Sequence, residues 1–355
     1  MKKRQLILAL VVLAALVALW FWGRNRIHFD FGVFRAQIAL ADWRTIAIGL
    51  ACIYFAYILR AVRWALLMKH AKRVPLLSLL GTQVIGFTAV ALIGRVADLV
   101  RPYLVAKRTG QPLSTQIAVY IVERLFDAGS MALIFSSLIL LSPAGSLPHP
   151  EIVKKAGYWG LTLTVCGAVF LVVVRLAGGF VATFFEHVFG MISKKLGQAA
   201  GNRIRTFHAG LDTLRSFSDF GAVAGLSLCM WLVISVAYLE VMRAFVASPQ
   251  LGSMTLGRSM LLLATSGAAS VFQLPIIGWF TQIGVVAAAM ANFYGASAEA
   301  STACAATVLL VTFLGIAPIG LIWARFEHVS IRKIASESEH AGEELSDEKP
   351  PEPQD

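Results

Sequence analysis

Six ionisable side chains stand inside predominantly apolar sequence, and their placement constrains this chain more than any other feature. The stretch Phe87 to Gly110, FTAVALIGRVADLVRPYLVAKRTG, breaks at Gly94 and then carries Arg95, Asp98 and Arg101. The next apolar run carries Glu123, Arg124 and Asp127 well inside it, in the sequence VERLFD. Charges in hydrocarbon are expensive, so they pair, face a protein-lined cavity, or mark a pathway.

The chain is 57% hydrophobic and 14% charged, with a mean hydropathy of +0.72. Soluble domains carry roughly 25% charged residues, so an ordinary cytosolic enzyme is excluded. A bilayer admits only helices or closed barrels, and the apolar runs here are too long for barrel strands. The fold class is therefore an all-α polytopic integral membrane protein. The net charge of +11 is not a nucleic-acid signal, because Lys and Arg lie mostly at the ends of apolar runs, where anionic lipid head groups attract them. Cys52, Cys166, Cys229 and Cys304 lie within apolar runs without CxxC or histidine spacing, and read as small packing residues rather than metal ligands or disulfides.

Lys2-Lys3-Arg4 followed by an apolar run from Gln5 to Trp22 reads as an uncleaved first span. Residues 1–43 form this anchor and an external loop, and 44–325 form the main membrane domain. A second span, Arg44 to Met68, ends at the cytoplasmic face; Arg60 and Arg63 are expected to snorkel there, ahead of Lys69, Lys72 and Arg73. Leu76 to Ile93 and Arg95 to Lys107 form a re-entrant hairpin opening to the cytoplasm, because the second arm is shorter than the roughly 20 apolar residues of a crossing. Leu113 to Leu141 crosses outward, SPAGSLPHP forms an external loop, and Gly157 to Val174 returns.

Between 178 and 218 a basic stretch repeats Phe180, Phe184, Val188, Ile192 and Leu196 every fourth residue. That spacing predicts an interfacial helix on an anionic leaflet, or a helical hairpin packed on itself. Phe220 to Val246 crosses again, with Glu240 and Arg243 forming an interfacial pair. Ser259 to Phe272 and Ile283 to Phe293 form a second hairpin opening outward, broken at Pro275 and Gly278. Ala300 to Trp323 returns to the cytoplasm. The acidic tail, 326–355, is expected to be disordered from Ser336. The architecture is thus six full spans plus two oppositely oriented re-entrant hairpins, with both termini cytoplasmic in the plasma (inner) membrane. Most Lys and Arg fall on the cytoplasmic side; Arg24, Arg26, Arg35 and Arg44 are the exceptions.

The segments 44–141 and 220–323 each read span, hairpin, span, in opposite orientations. The turns Gly94-Arg-Val-Ala-Asp98 and Gly278-Trp-Phe-Thr-Gln282 share a Gly and a polar residue four positions later. Inverted repeats with broken helices meeting near the midplane are the architecture of many secondary transporters.

GRVADLVRPYLVAKRTG with VERLFD, the upstream Arg60-Ala-Val-Arg63-Trp64 and the downstream QLPIIGWFTQIGVVAAAM resemble the recurrent blocks of the flippase-like, lysylphosphatidylglycerol synthase transmembrane family. The resemblance covers about residues 40 to 325. It implies transfer of a polar-headed phospho- or glycolipid between leaflets. By position, Gly94, Arg95, Asp98 and Arg101 match one family segment, Glu123, Arg124 and Asp127 a second, and Pro275, Gly278 and Gln282 a Pro-Gly-rich turn. Asp98 stands where Glu is more usual, and Gln282 where an acidic residue often sits. The resemblance further implies the flippase part alone, without the soluble aminoacyl-transferase domain of some members.

The expected substrate-binding residues are Arg95, Asp98, Arg101, Glu123, Arg124, Asp127 and Gln282, with Gly94, Pro275 and Gly278 breaking the hairpins. The arginines would take a phosphate through guanidinium's bidentate geometry, and the carboxylates would balance them or receive a cationic head group. The same charges could instead pair only with one another and pin the hairpin to its neighbour. No HExxH, GxSxG, phosphate loop or metal-ligand cluster occurs, so no catalytic residue, metal or cofactor is expected. An ion-coupled carrier of a small anion, or a membrane enzyme on a lipid-linked substrate, are the alternatives. Membrane lipids are the expected partners, with a second copy of the chain and a separate lipid-modifying enzyme as further candidates; nucleic acid is not one.

Overall fold

The computed structural model describes residues 29–70, 72–141, 150–211, 216–269 and 277–347. Every regular element among them is helical. Helix α1 (Phe31–Ala39) is capped by Asp30, whose carboxylate accepts from the amides of Gly32 and Val33. Helix α2 (Trp43–Leu67) starts from Asp42, whose side chain accepts from Arg44 N and Thr45 Oγ1. Then come α3 (Leu76–Ile93), a 3-10 turn (Arg95–Leu99), α4 (Val100–Thr109) and α5 (Leu113–Leu141). Helices α6 (Pro150–Gly190) and α7 (Lys194–Leu211) follow, and α8 (Phe217–Arg243) starts from the N-cap Ser216. The chain continues through α9 (Pro249–Gly252), α10 (Leu256–Ala269), α11 (Ile277–Tyr294), α12 (Ala298–Thr312), a 3-10 turn (Leu314–Ile316), α13 (Ala317–Phe326) and α14 (Ile331–Asp347).

Helices α2, α3, α5, α6 and α8 are each long and apolar enough to cross a bilayer. Helices α12 and α13 make a sixth candidate as a pair bent by 41°. The chain is an all-α polytopic membrane protein. The expected first span, Gln5 to Trp22, and the loop SPAGSLPHP up to His149 lie outside the described residues.

The first long helices of the two expected halves run antiparallel. Asp42, ahead of α2, donates its amide to Ala244 O at the end of α8 (2.8 Å). At the opposite ends, Asp219 in the first turn of α8 takes Lys69 Nζ at 3.2 Å and His70 Nε2 at 2.8 Å. The two helices therefore lie alongside each other over their full length. Ala56, Ala61 and Ala237 are buried, and such small residues let backbones approach where lipid supplies no hydrophobic drive.

The helices refine three expectations and correct a fourth. Helix α3, expected as the first arm of a re-entrant hairpin, has 18 residues and is apolar enough to cross on length and composition, and the break at Gly94 and the ten-residue α4 follow it. The return span, Ala300 to Trp323, is not one rod: its helix stops at Thr312 and restarts at a different angle. The segment 178–218 starts a helical stretch of its own past a kink at Ala177 (φ −136°, ψ 37°). That stretch ends at Gly190, and α7 folds back on it as the helical hairpin that was the other expectation for this region, tied by Arg205 and Glu186 at 2.6 Å. Its repeat of Phe180, Phe184, Ile192 and Leu196 is nevertheless exposed, as an apolar face turned to lipid would be.

The expectation to be corrected is the tail. From Ser336 the chain is not disordered but continues α14 up to Asp347, and residues 348–355 lie outside the described set. Ile334, Ala335 and Ser338 are buried against α3, α4 and the Arg95–Leu99 turn. An amphipathic stripe at i, i+1 and i+4 found a receptor that its acidic composition did not disclose.

Candidate functional site

Glu123 and Asp127 are four residues apart on α5, so they share one face, and that face points inward. Arg60 and Arg63, three apart on α2, come to meet it. Arg63 is fully buried and forks between the two carboxylates: Nη2 donates to Glu123 Oε1 and Nη1 to Asp127 Oδ1, both at 2.6 Å. Nη1 also donates to Ser227 Oγ at 2.9 Å, which ties α8 to the pair. Asp127 Oδ1 accepts from Trp231 Nε1 as well, at 3.1 Å.

Arg101 of α4 is equally buried and reaches the other oxygen, Glu123 Oε2, at 3.1 Å, with Gln83 Oε1 at 3.2 Å. Gly86 on α3 makes room for it, because a methyl group there would overlap Arg101 Cγ. Gly94 supplies the bend between α3 and the 3-10 turn, at φ 96° and ψ −169°, a conformation essentially restricted to glycine.

Arg124 is i−3 to Asp127 and 2.8 Å from its Oδ2; Arg60 approaches the same oxygen at 3.6 Å. Aromatic rings separate the guanidinium groups. Phe87 lies between Arg60 (4.9 Å) and Arg101 (4.4 Å), and Tyr120 between Arg101 (5.0 Å) and Arg124 (5.3 Å). Ring faces attract cations, so three of the four guanidinium groups have part of their mutual repulsion offset.

Beside this cluster lies a cavity of about 260 Å³. Arg60, Arg124 and Asp98 line it from the first half, and Tyr238, Ser266 and Gln282 from the second. The cavity lies against a layer of buried ion pairs rather than bare hydrocarbon.

A family model described as the lysylphosphatidylglycerol synthase TM region matches residues 6–320. The chain belongs to that family. No curated protein and no solved structure matches it. Membership in the lysylphosphatidylglycerol synthase TM-region family makes this a membrane protein of lipid-related function, and the match extends beyond the blocks that suggested it.

Within this family member the expected site residues divide into two layers. Asp98, Arg124 and Gln282 line the cavity. Arg101, Glu123 and Asp127 stand behind it, engaged in the ion pairs described above. The backbone of Arg95 belongs to the 3-10 turn, but its side chain lies outside the described residues, as does Pro275. Gly278 is buried in the first turn of α11 (Ile277–Tyr294). Glu240 and Arg243 form their expected pair at 3.7 Å.

The snorkelling reading of Arg60 and Arg63 is overturned. Arg63 is the centre of the buried network and Arg60 is a cavity wall. A local cue existed, since both lie on one face of α2 and share it with the inward-facing Tyr57 and Trp64. The lysines and arginine just beyond the helix end masked it. Tyr238 and Ser266 carried no sequence signal at all.

Proposed function

We propose that this protein carries a phosphate-bearing polar lipid head group between membrane leaflets, binding it in the cavity while the acyl tails stay in lipid. The observation that carries this reading is the charge imbalance at the cavity wall. Four buried or half-buried guanidinium groups, of Arg60, Arg63, Arg101 and Arg124, face the two carboxylates of Glu123 and Asp127, and Asp98 adds one more on the wall. Arg63 and Arg101 are held by the carboxylates; Arg60 and Arg124 reach the cavity. Excess positive charge at membrane depth calls for an anion, and guanidinium is the side chain best shaped for phosphate.

The cavity volume agrees with a head group rather than a whole lipid, because pockets for drug-sized ligands start at about 300 Å³. The antiparallel α2 and α8 place corresponding elements of the two halves on opposite courses, which suits alternating access by rocking. In this reading nothing is made or broken covalently, the protein sits in the plasma membrane with both termini cytoplasmic, and lipids are its partners.

The test is reconstitution into vesicles with a fluorescent anionic phospholipid, reading leaflet exposure with an impermeant quencher. Arg60→Gln with Arg124→Gln should slow movement at least about tenfold while the protein stays folded. Parental rates in that variant would overturn the reading, and uptake of soluble anions in place of lipid movement would transfer it to a solute carrier.

A further inference from the structure

The hairpin of α6 and α7 turns much of its apolar surface away from its own interior. Its two arms meet by close backbone approach: a methyl group at Gly178 would overlap the His208 ring, and one at Gly197 the Glu186 carbonyl. The inner side, through Val181, Phe185 and Ile204, packs on the cluster that holds Leu67 and Met68 at the end of α2 and Phe220 at the start of α8. Phe180, Phe184, Val188, Met191, Ile192 and Leu196 are left exposed, Met191 and Ile192 at the tip by 79% and 74%.

That packing fixes the hairpin's depth. Met68 is followed directly by Lys69, and Phe220 is preceded by Asp219, which Lys69 and His70 hold. By Ala177, moreover, α6 has already run further than the roughly 30 Å of hydrocarbon, at about 1.5 Å per residue. The hairpin therefore stands at the bilayer surface, where α2 ends and α8 begins, and not at mid-membrane. Its charge is one-sided. Between positions 178 and 211 the sequence has four Lys or Arg and one carboxylate, Glu186, which Arg205 takes at 2.6 Å. Lys194, Lys195 and Arg203 are exposed and have no ion-pair partner among the described residues.

Uncommitted cations beside an apolar row match a surface that is negative outside and apolar within. A second copy of the chain does not match, since it would set the same three cations against these. We propose that the α6–α7 hairpin is a docking surface for the anionic lipid leaflet of its own membrane. The apolar row sits among the upper acyl chains, and Lys194, Lys195 and Arg203 lie against lipid phosphates. This surface shares no residue with the cavity and does not depend on what the cavity carries.

The experiment places a nitroxide at Ile192→Cys, in a full chain whose native cysteines are serine, reconstituted in phosphatidylcholine vesicles with or without phosphatidylglycerol. With phosphatidylglycerol the label should lie about 5–10 Å into the bilayer, open to oxygen and shielded from a water-soluble nickel chelate. Lys194→Gln with Lys195→Gln should lower the ratio of docked to undocked label about 25-fold, about fivefold for each lysine at an anionic surface. Raised salt should act in the same direction. In the unaltered chain, amide exchange over 180–196 should slow when phosphatidylglycerol is added, a readout that needs no substitution. A label open to the chelate in both vesicles, or equally deep in both, overturns the proposal, as does exchange that ignores the anionic lipid. A label shielded from oxygen and chelate alike would mean that protein covers the face, and overturns it too.

Discussion

Arg63 of α2 and Glu123 of α5, 60 residues apart in sequence, meet at 2.6 Å with both side chains buried. Removing one member of such a pair leaves an uncompensated charge, which costs about 3–5 kcal/mol. Arg63→Ala should therefore lower the midpoint of denaturant unfolding in detergent sharply. Arg60→Ala, whose contact with Asp127 is longer and lies at the cavity wall, should unfold near the parental midpoint yet lose lipid movement. Similar stability losses in both variants would show that the two arginines are not divided into a structural and a cavity-facing member.

Gly86→Ala tests the approach of α3 to Arg101. Overpacking of this kind costs about 1–3 kcal/mol, since Arg101 must leave Glu123 or the helices must part. Gly129→Ala on α5 is the control, because a methyl group there meets nothing within 4 Å. The first variant should melt lower than the second.

Gly94→Ala probes the bend itself. An L-residue at φ 96° and ψ −169° is strained by about 1–3 kcal/mol. The expected outcome is a lower thermal midpoint together with greater accessibility of a cysteine placed at Asp98 to impermeant thiol reagents. Unchanged accessibility would mean the turn keeps its position without glycine.

The docking of α14 should depend on pH. Glu337 accepts from the Tyr103 hydroxyl at 3.0 Å and pairs with Lys107 at 3.3 Å and Lys333 at 3.9 Å. The Tyr103 hydrogen bond, then that from Lys107, hold its carboxyl below the ordinary 4.5. A depressed carboxylate stabilises the docked state above its undocked pKa, and that contribution disappears as pH falls through the lower, docked value. Spin labels on α14 and α4 should thus separate on acidification below the usual glutamate range, and Glu337→Gln should loosen the contact already at neutral pH. A distance that is constant with pH and unaffected by the substitution would show that the buried Ile334 and Ala335 hold the helix unaided.

By itself the sequence determined the elements whose causes are local. Hydropathy marked the long helices, the glycine at 94 marked the bend, and the spacing of Arg124 and Asp127 set their pairing on one helix face. It also carried the family, because the blocks around Gly94 and Glu123 are contiguous. Only the tertiary structure decided which charges are buried and which reach the cavity. Arg63 looks like a surface anchor until a helix that begins 50 positions later lays Glu123 and Asp127 against it. The acidic tail likewise gained its helix from a surface made by α3, α4 and the turn between them. A charge's cost depends on the dielectric and partners around it, and those are supplied by residues far away in the chain, so no local reading of composition can assign them.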